Sequence, residues 1–175
     1  MKKELREKYK LIRKNIKNKK EKSNIIFNKI INCEEYKKSK IIAIYKNLKD
    51  EVETNDLVEY SIKDKIVCLP KVVGDNLIFI KTNNKDFEIG SFGIEEPIGE
   101  EIDTKEIDLF IIPGICFDKE LNRIGFGKGY YDKVNYNNSK RIGICFEEQI
   151  CDEIIDVDKY DIKMNKVITN KNIYN

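Results

Sequence analysis

The chain has 175 residues, of which 41% are hydrophobic and 37% charged, with a formal net charge of +2. A chain of this length buries about two-thirds of its unfolded surface as one domain, so we expect a single domain over residues 1–175. No apolar run approaches the roughly 20 residues of a membrane span, and the N-terminal segment lacks the apolar core of a signal peptide. The composition therefore predicts a cytoplasmic protein with no membrane partner.

The chain contains no histidine and five cysteines. The missing histidine excludes Ser-His-Asp and Cys-His catalysis and every His-ligated zinc site. The cysteines are odd in number, form no Cys-x-x-Cys pair, and lie mostly in apolar runs, so we expect buried thiols in a reducing compartment. Catalysis must then rest on carboxylates, lysine, arginine, tyrosine, backbone amides and a bound metal.

The charge is unevenly distributed, because residues 1–22 hold eleven Lys and Arg against three Glu. Such a segment raises the hypothesis of a basic RNA-binding module that uses the first helix. The remainder of the chain is net acidic, and the basic segment lacks the aromatic interleaving that favours single-strand binding. We therefore expect no nucleic-acid partner.

Helical patterns occur in four segments. The apolar residues of the first segment recur at helical spacing and predict a basic amphipathic helix over residues 2–20. Ser23 and Thr54 are expected to cap the next two helices, and a further helix is predicted to begin within residues 130–136.

Short apolar or β-branched runs predict the strands, at residues 41–45, 66–69, 77–80, 109–112, 141–146 and 166–169. Pro70 is expected to end the second of these strands. The segment 87–100 holds three glycines and a proline and is predicted to be a long ordered loop. Apolar strands alternating with helices are typical of a mostly parallel sheet covered on both faces, so we predict an α/β fold, a three-layer α/β/α sandwich.

The most informative segment follows the strand at 109–112. Pro113-Gly114 comes first, and then Gly125-Phe-Gly-Lys-Gly129, with a glycine at every second position. Glycines spaced in this way leave backbone N–H groups free to approach an anion. The spacing matches neither a Walker A loop nor the dinucleotide fingerprint, so a glycine-rich hairpin without a ligand stays an alternative.

Charged side chains surround these glycines. Lys128 adds a mobile positive charge, and Arg123 offers a planar fork that matches phosphate oxygens. Asp132, just beyond the glycines, is an oxygen ligand of the kind that Mg²⁺ prefers. Phosphate and metal chemistry within ten residues points to a nucleotide.

Three further groups of charged residues carry a functional and a simpler interpretation. Lys2, Lys3 and Arg6 form either a phosphate clamp or a solvated basic face. Glu51, in the acidic turn after the first strand, either accepts hydrogen bonds from an amino-pyrimidine-type ring edge or complements a helix dipole. Lys46 and Lys71 follow strand ends and are either ligand contacts or surface lysines.

An acidic run extends from Asp152 to Asp161. Most of its carboxylates are expected to be solvated. One of them beside Asp132 would complete a magnesium site, because Mg²⁺ takes one or two carboxylates together with phosphate oxygens and water.

Several of these segments together resemble the 5-formyltetrahydrofolate cyclo-ligase (methenyltetrahydrofolate synthetase) family, in the right order and over nearly the whole chain. The matching segments are Lys2-Lys-Glu-Leu-Arg6, Asp50-Glu-Val-Glu-Thr54, Leu69-Pro-Lys71, Phe92-Gly-Ile-Glu-Glu-Pro97, Pro113-Gly-Ile-Cys-Phe-Asp118 and Arg123-Ile-Gly-Phe-Gly-Lys-Gly-Tyr-Tyr-Asp132. The last of these is the most specific. The resemblance implies a ligase that uses ATP and Mg²⁺ to convert 5-formyltetrahydrofolate to 5,10-methenyltetrahydrofolate, with release of ADP and phosphate.

The resemblance also implies roles for individual residues. The ATP contacts would be Lys2, Lys3, Glu4, Leu5, Arg6, Arg123, Ile124, Gly125, Phe126, Gly127, Lys128, Gly129, Tyr130 and Tyr131. The folate contacts would be Lys46, Glu51, Phe126, Gly127, Lys128, Gly129 and Tyr130, and the magnesium ligands Asp132 and Asp161. Lys128, Arg123 and Tyr130 would be catalytic.

The chain departs from the family pattern at two positions. Asn165 replaces the second aspartate of the closing Asp-x-x-x-Asp-x-Val element, and Phe126 stands where some members have arginine. The family's sheet resembles that of sugar-phosphate isomerases and CoA transferases, so an isomerase-like enzyme without ATP is an alternative. We expect a monomer that acts on small molecules.

Overall fold

The computed structural model describes residues 1–90 and 93–175. The helices are α1 (Lys2–Lys14), α2 (Lys19–Asn32), α3 (Glu34–Lys38) and α4 (Asn55–Ser61). The strands are β1 (Ile41–Ile44), β2 (Ile66–Val73), β3 (Asn76–Lys81), β4 (Phe87–Ile89), β5 (Glu95–Pro97), β6 (Glu101–Ile102), β7 (Leu109–Ile112), β8 (Cys116–Asp118), β9 (Arg123–Ile124), β10 (Lys140–Ile144), β11 (Ile150–Cys151), β12 (Lys166–Ile168) and β13 (Ile173–Tyr174). Short 3-10 helices occur at Thr104–Glu106 and Glu147–Gln149. Within these ranges, none of the helices has the length and apolarity to cross a membrane.

The main sheet has eight strands in the order β13-β12-β10-β7-β1-β2-β3-β6. Its five central strands, from β12 to β2, are parallel. At the edges, β13 runs antiparallel to β12, β3 to β2, and β6 to β3. Strand β7 is buried at all four residues, as expected of a central parallel strand covered on both faces. The α/β fold with a mostly parallel sheet is therefore confirmed.

Helices α2, α3 and α4 cover one face of the main sheet. Ile30, Tyr36 and Leu57 from these helices share an apolar cluster with Ile44 and Ile111 of the sheet. The opposite face carries a second cluster around Phe110, Phe117 and Tyr136, supplied largely by β8 and by turns. All five cysteines are buried as free thiols, as predicted.

A small sheet, ordered β11-β8-β9, lies beside the main one. Helix α1 packs on it through Leu5 and Tyr9, which share a cluster with Ile115, Cys116 and Ile124. The first helix is thereby held next to the segment that follows β9, where the glycine-rich motif lies.

The predicted first helix and the predicted cap of the second are wrong in detail. Helix α1 ends at Lys14 rather than at residue 20, because the chain turns there and Asn18 takes a left-handed backbone conformation with φ of 60°. Asparagine adopts that conformation more readily than most residues. Ser23 consequently lies inside α2, where its hydroxyl accepts a hydrogen bond from the Glu53 backbone N–H at 3.0 Å.

Four further predictions need correction. Strand β2 continues through Pro70, which pairs with Phe79 of β3. Strand β1 pairs with β2 only at residues 66–68, so the pairing with β1 does not require the backbone N–H that Pro70 lacks. The segment 87–100 contains the antiparallel pair β4–β5.

Residues 130–136 form turns instead of a helix, in a segment where the left-handed Gly129 and Asn137 interrupt helical geometry. Thr54 precedes α4 as predicted, but its hydroxyl donates to the Tyr45 carbonyl instead of capping the helix.

Candidate active site

A cavity of about 460 Å³ opens beyond the carboxyl ends of β1 and β7. Ligands in open α/β sheets gather at this edge. Its walls come from α1, the glycine-rich segment after β9, the β2–β3 pair and the acidic C-terminal segment. The predicted site residues that line it are Lys2, Arg6, Lys46, Glu51, Arg123, Ile124, Gly125, Phe126, Gly127, Lys128, Gly129, Tyr130, Tyr131, Asp132 and Asp161.

Helix α1 directs two cations toward this cavity. Leu5 and Tyr9 face the small sheet, so Lys2 and Arg6, four residues apart, lie on the stripe that meets the cavity. The Nε of Arg6 donates to the carbonyl oxygen of Gly125 at 2.9 Å. The helix is thus connected directly to the glycine-rich segment.

The glycine-rich segment adopts backbone conformations that require glycine at two positions. Gly127 and Gly129 have φ values of 101° and 69°. A Cβ on Gly127 would also lie 3.5 Å from the Cζ of Arg6. Lys128, between these glycines, is exposed and lines the cavity.

Arg123 is fixed at the base of the cavity. Its Nε donates to the carbonyl oxygen of Pro113 at 2.7 Å, and its Cζ lies 5.2 Å from the ring centroid of Tyr131. Burial lowers the pKa of Arg123, while Asp132 and other neighbours oppose that effect. Arginine remains protonated in proteins, so Arg123 is a fixed cation in the cavity wall.

Glu51 is a buried carboxylate in the same wall, with 5% of its surface exposed. Its Oε1 accepts a hydrogen bond from the Leu48 backbone N–H at 2.7 Å, and its Oε2 lies 3.9 Å from the Nη1 of Arg13. Burial raises the pKa of Glu51, and the Leu48 N–H and the charges of Arg13 and Arg123 only partly oppose this. Glu51 can therefore accept or share a proton closer to neutral pH than an exposed glutamate.

Asp132 and Asp161 lie close together on the cavity wall. The Oδ1 of Asp132 accepts a hydrogen bond from the backbone N–H of Ile162, the residue after Asp161, at 3.1 Å. Asp161 accepts hydrogen bonds through its Oδ2 from Lys2 and from the Asp158 backbone N–H. Within residues 1–90 and 93–175, the second oxygen of each carboxylate accepts no hydrogen bond.

These two carboxylates fit a magnesium ion that a ligand would help to hold. Among the residues that the structure describes, no group of three or more acidic or cysteine side chains forms a metal site. Mg²⁺ commonly takes one or two carboxylates and completes its shell with phosphate oxygens and water. Asp132 and Asp161 could supply the protein part of such a shell.

Lys46 and Lys71 contact the β4–β5 pair. The Nζ of Lys46 lies 2.7 Å from the Oε2 of Glu95 and 3.9 Å from the ring centroid of Phe87. The Nζ of Lys71 lies 3.4 Å from the Oε1 of Glu88. Lys46 lines the cavity, and Lys71 is not among its lining residues.

Some predicted residues lie elsewhere. Lys3 and Glu4 are exposed on α1 outside the cavity wall, and Leu5 is buried against the small sheet, because the three occupy other faces of the helix than Lys2 and Arg6. Phe92 lies outside the described residues. Asn165 bonds with β10, where its Oδ1 accepts from the Arg141 backbone N–H at 2.8 Å.

The sequence interpretation missed part of the cavity wall. The additional lining residues are Tyr45, Leu48, Pro70, Val72, Leu77 and Pro113. Tyr45 and Pro113 directly follow the parallel strands β1 and β7, and that position is the signal that could have identified them. The apolar residues of β2 and β3 carry no comparable signal.

Comparison with known proteins gives a consistent result. The model of the 5-formyltetrahydrofolate cyclo-ligase family matches residues 1–170. A probable 5-formyltetrahydrofolate cyclo-ligase of Schizosaccharomyces pombe is 33% identical, with 85% of this chain and 83% of the relative covered. The 5-formyltetrahydrofolate cyclo-ligase of Mus musculus is 32% identical, with 83% and 81% covered.

Two solved structures share the fold. The solution structure of an Aquifex aeolicus 5,10-methenyltetrahydrofolate synthetase matches with a TM-score of 0.86 and 33% identity, over 98% of this chain and 91% of that one. A 5,10-methenyltetrahydrofolate synthetase from Mycoplasma pneumoniae matches with a TM-score of 0.78 and 26% identity, over 97% and 98%. The chain is therefore a member of the 5-formyltetrahydrofolate cyclo-ligase family, a family of ligases.

Proposed function

We propose that this chain uses ATP and Mg²⁺ to cyclise 5-formyltetrahydrofolate to 5,10-methenyltetrahydrofolate, with release of ADP and phosphate. Family membership and the two solved structures indicate 5,10-methenyltetrahydrofolate synthetase activity. The observation that carries the proposal is one cavity whose wall combines five cations, two neighbouring carboxylates and a buried glutamate. This set matches a phosphate donor at one end and a folate ring at the other.

The phosphate end of the cavity combines α1 with the glycine-rich segment. Lys2, Arg6, Arg123 and Lys128 bring four positive charges to its wall. Phosphoryl transfer depends mainly on positioning and on neutralising charge, and these residues supply both without a strong base. The left-handed Gly127 and Gly129 let backbone approach an anion closely.

Asp132 and Asp161 would hold the magnesium ion. Bound there, Mg²⁺ would neutralise phosphate charge and help to orient the phosphoryl group. Lys2 contacts Asp161, so a cation of the protein already lies next to the proposed metal position. The Oδ2 of Asp132 and the Oδ1 of Asp161 accept none of the hydrogen bonds described above. These two oxygens are the proposed ligand atoms.

The folate end combines Glu51 with an apolar wall. An ionised glutamate accepts hydrogen bonds only, which suits the amino and N–H donors of a pterin ring. Leu48, Val72 and Leu77 provide an apolar surface of the kind that binds an aromatic ring system. Tyr130 also lines the cavity and can stack on a planar ring.

The proposed chemistry activates the formyl oxygen, which is otherwise a poor leaving group. The γ-phosphoryl group of ATP is transferred to that oxygen, and ADP leaves. The N10 amine then attacks the formyl carbon and loses its proton, and phosphate departs with the formyl oxygen to leave the N5–CH–N10 methenyl bridge. Lys128 and Arg123 stabilise the charge that develops on the transferred group, and Tyr130 orients the reacting ring.

The test is a component-omission assay that follows the absorbance of 5,10-methenyltetrahydrofolate. We expect product only when protein, 5-formyltetrahydrofolate, ATP and Mg²⁺ are all present. Lys128→Ala should abolish the signal, whereas Lys119→Ala, an exposed lysine outside the cavity, should not. Product formation without ATP, or none from folded wild-type protein, would refute the proposal.

We propose that residues 1–175 form one cyclo-ligase domain, that the protein acts as a cytoplasmic monomer, and that it has no nucleic-acid partner. Size-exclusion chromatography with light scattering tests the monomer, and a salt-dependent RNA-binding assay tests the absence of a nucleic-acid partner.

A further inference from the structure

Arg13 is a buried arginine whose hydrogen bonds are incomplete. Its exposed fraction is 6%, and its Nε and Nη1 have no hydrogen-bond partner among the residues that the structure describes. A buried cation is costly unless neighbouring groups neutralise it. An arginine retained in such a place calls for a specific reason.

Arg13 continues the stripe of α1 that meets the active site. It lies seven residues after Arg6 and eleven after Lys2, so the three side chains project from one face of the helix. Lys2 contacts Asp161, and Arg6 contacts the carbonyl oxygen of Gly125. Arg13 is therefore the third cation of the face that bears on this cavity.

Two residues of the cavity wall lie against Arg13. Its Nη1 is 3.9 Å from the Oε2 of Glu51, and its Cζ is 5.4 Å from the ring centroid of Phe126. Arg13 itself is not a lining residue. Arg13 can therefore act on a ligand in the cavity through these neighbours.

We propose that Arg13 is a positioning residue that holds the Glu51 carboxylate in place as the hydrogen-bond acceptor for the folate ring. This inference rests on the proposed function. Hydrogen bonds in a ligand-free site are often long and tighten in the complex, so the 3.9 Å separation is compatible with a direct bond once folate is bound.

The charges around Glu51 define what the loss of Arg13 would do. The groups around Glu51 are Arg13 from α1, Arg123 from β9, Tyr45 after β1, Tyr131 just beyond the glycine-rich segment, and the Leu48 backbone N–H. Burial raises the pKa of Glu51, and only the two arginines and the Leu48 N–H lower it. Removing Arg13 must therefore raise that pKa further, and Glu51 would become protonated at a higher pH.

A purely structural role does not explain this arrangement. Helix α1 is already anchored by Leu5 and Tyr9 in an apolar cluster. Replacing both members of a buried ion pair by apolar side chains of similar volume is often neutral or stabilising, whereas removing one member leaves the other charge buried and unpaired. If the Arg13–Glu51 pair served only packing, two apolar side chains would fill its place equally well.

The experiment compares Arg13→Met with Lys14→Met, which changes an exposed lysine on the same helix. Both are measured for kcat/KM toward 5-formyltetrahydrofolate and toward ATP across pH. We expect Arg13→Met to lower kcat/KM for folate about 30-fold, the effect of losing a hydrogen bond to a charged group. The acid limb of the pH profile of kcat/KM should move to higher pH in Arg13→Met. Binding of ADP to the free Arg13→Met protein should stay at the wild-type level. Lys14→Met should match wild type.

A double-mutant cycle with Glu51→Gln separates action through Glu51 from any other effect. In the Glu51→Gln background, Arg13→Met should cost far less than in wild type, because the group that it positions is already altered. Arg13→Lys keeps the charge but not the planar fork, so its acid limb should stay near that of wild type. If Arg13→Met does not fold, Arg13→Gln takes its place with the same expected shift.

The outcomes distinguish this inference from the proposed function. The positioning role would be overturned if the acid limb of the pH profile were unchanged in Arg13→Met, or in Arg13→Gln where that variant takes its place. Additive effects of Arg13→Met and Glu51→Gln would also overturn it. If wild-type protein forms no methenyl product, the proposed function fails instead. A loss confined to ADP binding would likewise overturn the inference, because it would assign Arg13 to the nucleotide end.

Discussion

Lys2 forms an ion pair with Asp161, a residue 159 positions later in the chain. Lys2 is the first residue of α1, and Asp161 belongs to the acidic C-terminal segment. The Nζ of Lys2 also lies 3.9 Å from the Oδ2 of Asp158. The pair joins the two ends of the sequence at the rim of the cavity and sets one proposed magnesium ligand beside one proposed phosphate contact.

We expect Lys2→Met to lower the free energy of unfolding at neutral pH by about 0.5–1 kcal/mol, the range of a partly exposed ion pair. Burial raises the pKa of Asp161, but hydrogen bonds from Lys2 and from the Asp158 backbone N–H lower it below the ordinary value. A carboxyl group whose pKa is lower in the folded than in the unfolded protein stabilises the fold at pH values above its unfolded-state pKa. This stabilisation disappears as the pH falls through its folded-state pKa.

Urea unfolding of wild type and Lys2→Met at neutral and acidic pH tests this expectation. The two proteins should differ at neutral pH and converge below the pKa of Asp161. Lys3→Met, an exposed neighbour outside the cavity wall, should match wild type at both pH values. A difference that persists in acid would show that Lys2 stabilises the fold by packing.

Two glycine substitutions should separate backbone strain from displacement of Arg123. A Cβ on Gly125 would lie 2.7 Å from the Nη2 of Arg123, whose Nε is held by the Pro113 carbonyl oxygen. We expect Gly125→Ala to lower kcat about 100-fold by shifting this guanidinium, with little change in stability. Gly129 has φ of 69° and open space around it, so Gly129→Ala should cost about 1–2 kcal/mol of unfolding free energy through strain.

Steady-state kinetics and thermal unfolding of the two variants give the answer. Full activity in Gly125→Ala would contradict the assignment of Arg123 to the reacting groups. Equal losses of stability in both variants would contradict the separation of backbone strain from displacement of Arg123.

The guanidinium of Arg123 should not be replaceable by an ammonium. Arg123→Lys loses the planar fork that both donates to Pro113 and faces the cavity, so we expect kcat to fall about 100-fold. Arg141 offers a matched control, because its Nε donates to the Lys163 carbonyl oxygen at 2.8 Å and its Cζ lies 5.1 Å from the Tyr136 ring centroid, away from the cavity. Arg141→Lys should retain activity, and similar losses in both variants would contradict the role of Arg123.

Asp132→Asn should raise the Mg²⁺ concentration that gives half-maximal activity by at least about 10-fold. The variant keeps an oxygen that can accept from the Ile162 backbone N–H, so the fold should be retained. Asp156→Asn, an exposed residue in the acidic segment, serves as the control. An unchanged magnesium dependence, measured by titration at saturating ATP, would remove Asp132 from the metal site.

The sequence was sufficient for the parallel core and for most of the cavity. Buried strands such as β7 consist of unbroken apolar residues, and the glycine-rich segment carries its charges in a contiguous stretch. The path of β2 through Pro70 was not predictable, because it depends on β1 ending before that residue. Likewise, β4 and β5 are too short and too polar to show a strand pattern.

Long-range placement explains what sequence patterns could not supply. The apolar wall that includes Leu77 exists because β3 folds back on β2 next to the cavity. An arginine in a helix usually lies on the protein surface, and only the packing of α1 beside Glu51 buries Arg13. Both features depend on contacts between segments far apart in the chain.

The fate of the formyl oxygen is the decisive measurement for the proposed chemistry. 5-Formyltetrahydrofolate labelled with ¹⁸O in the formyl group is converted by wild-type protein with ATP and Mg²⁺, and the released inorganic phosphate is analysed by mass spectrometry. If the γ-phosphoryl group is transferred to that oxygen, each phosphate should carry one ¹⁸O, in equal amount with the methenyl product. Unlabelled phosphate would show that ATP is not used to activate the formyl group and would contradict the mechanism.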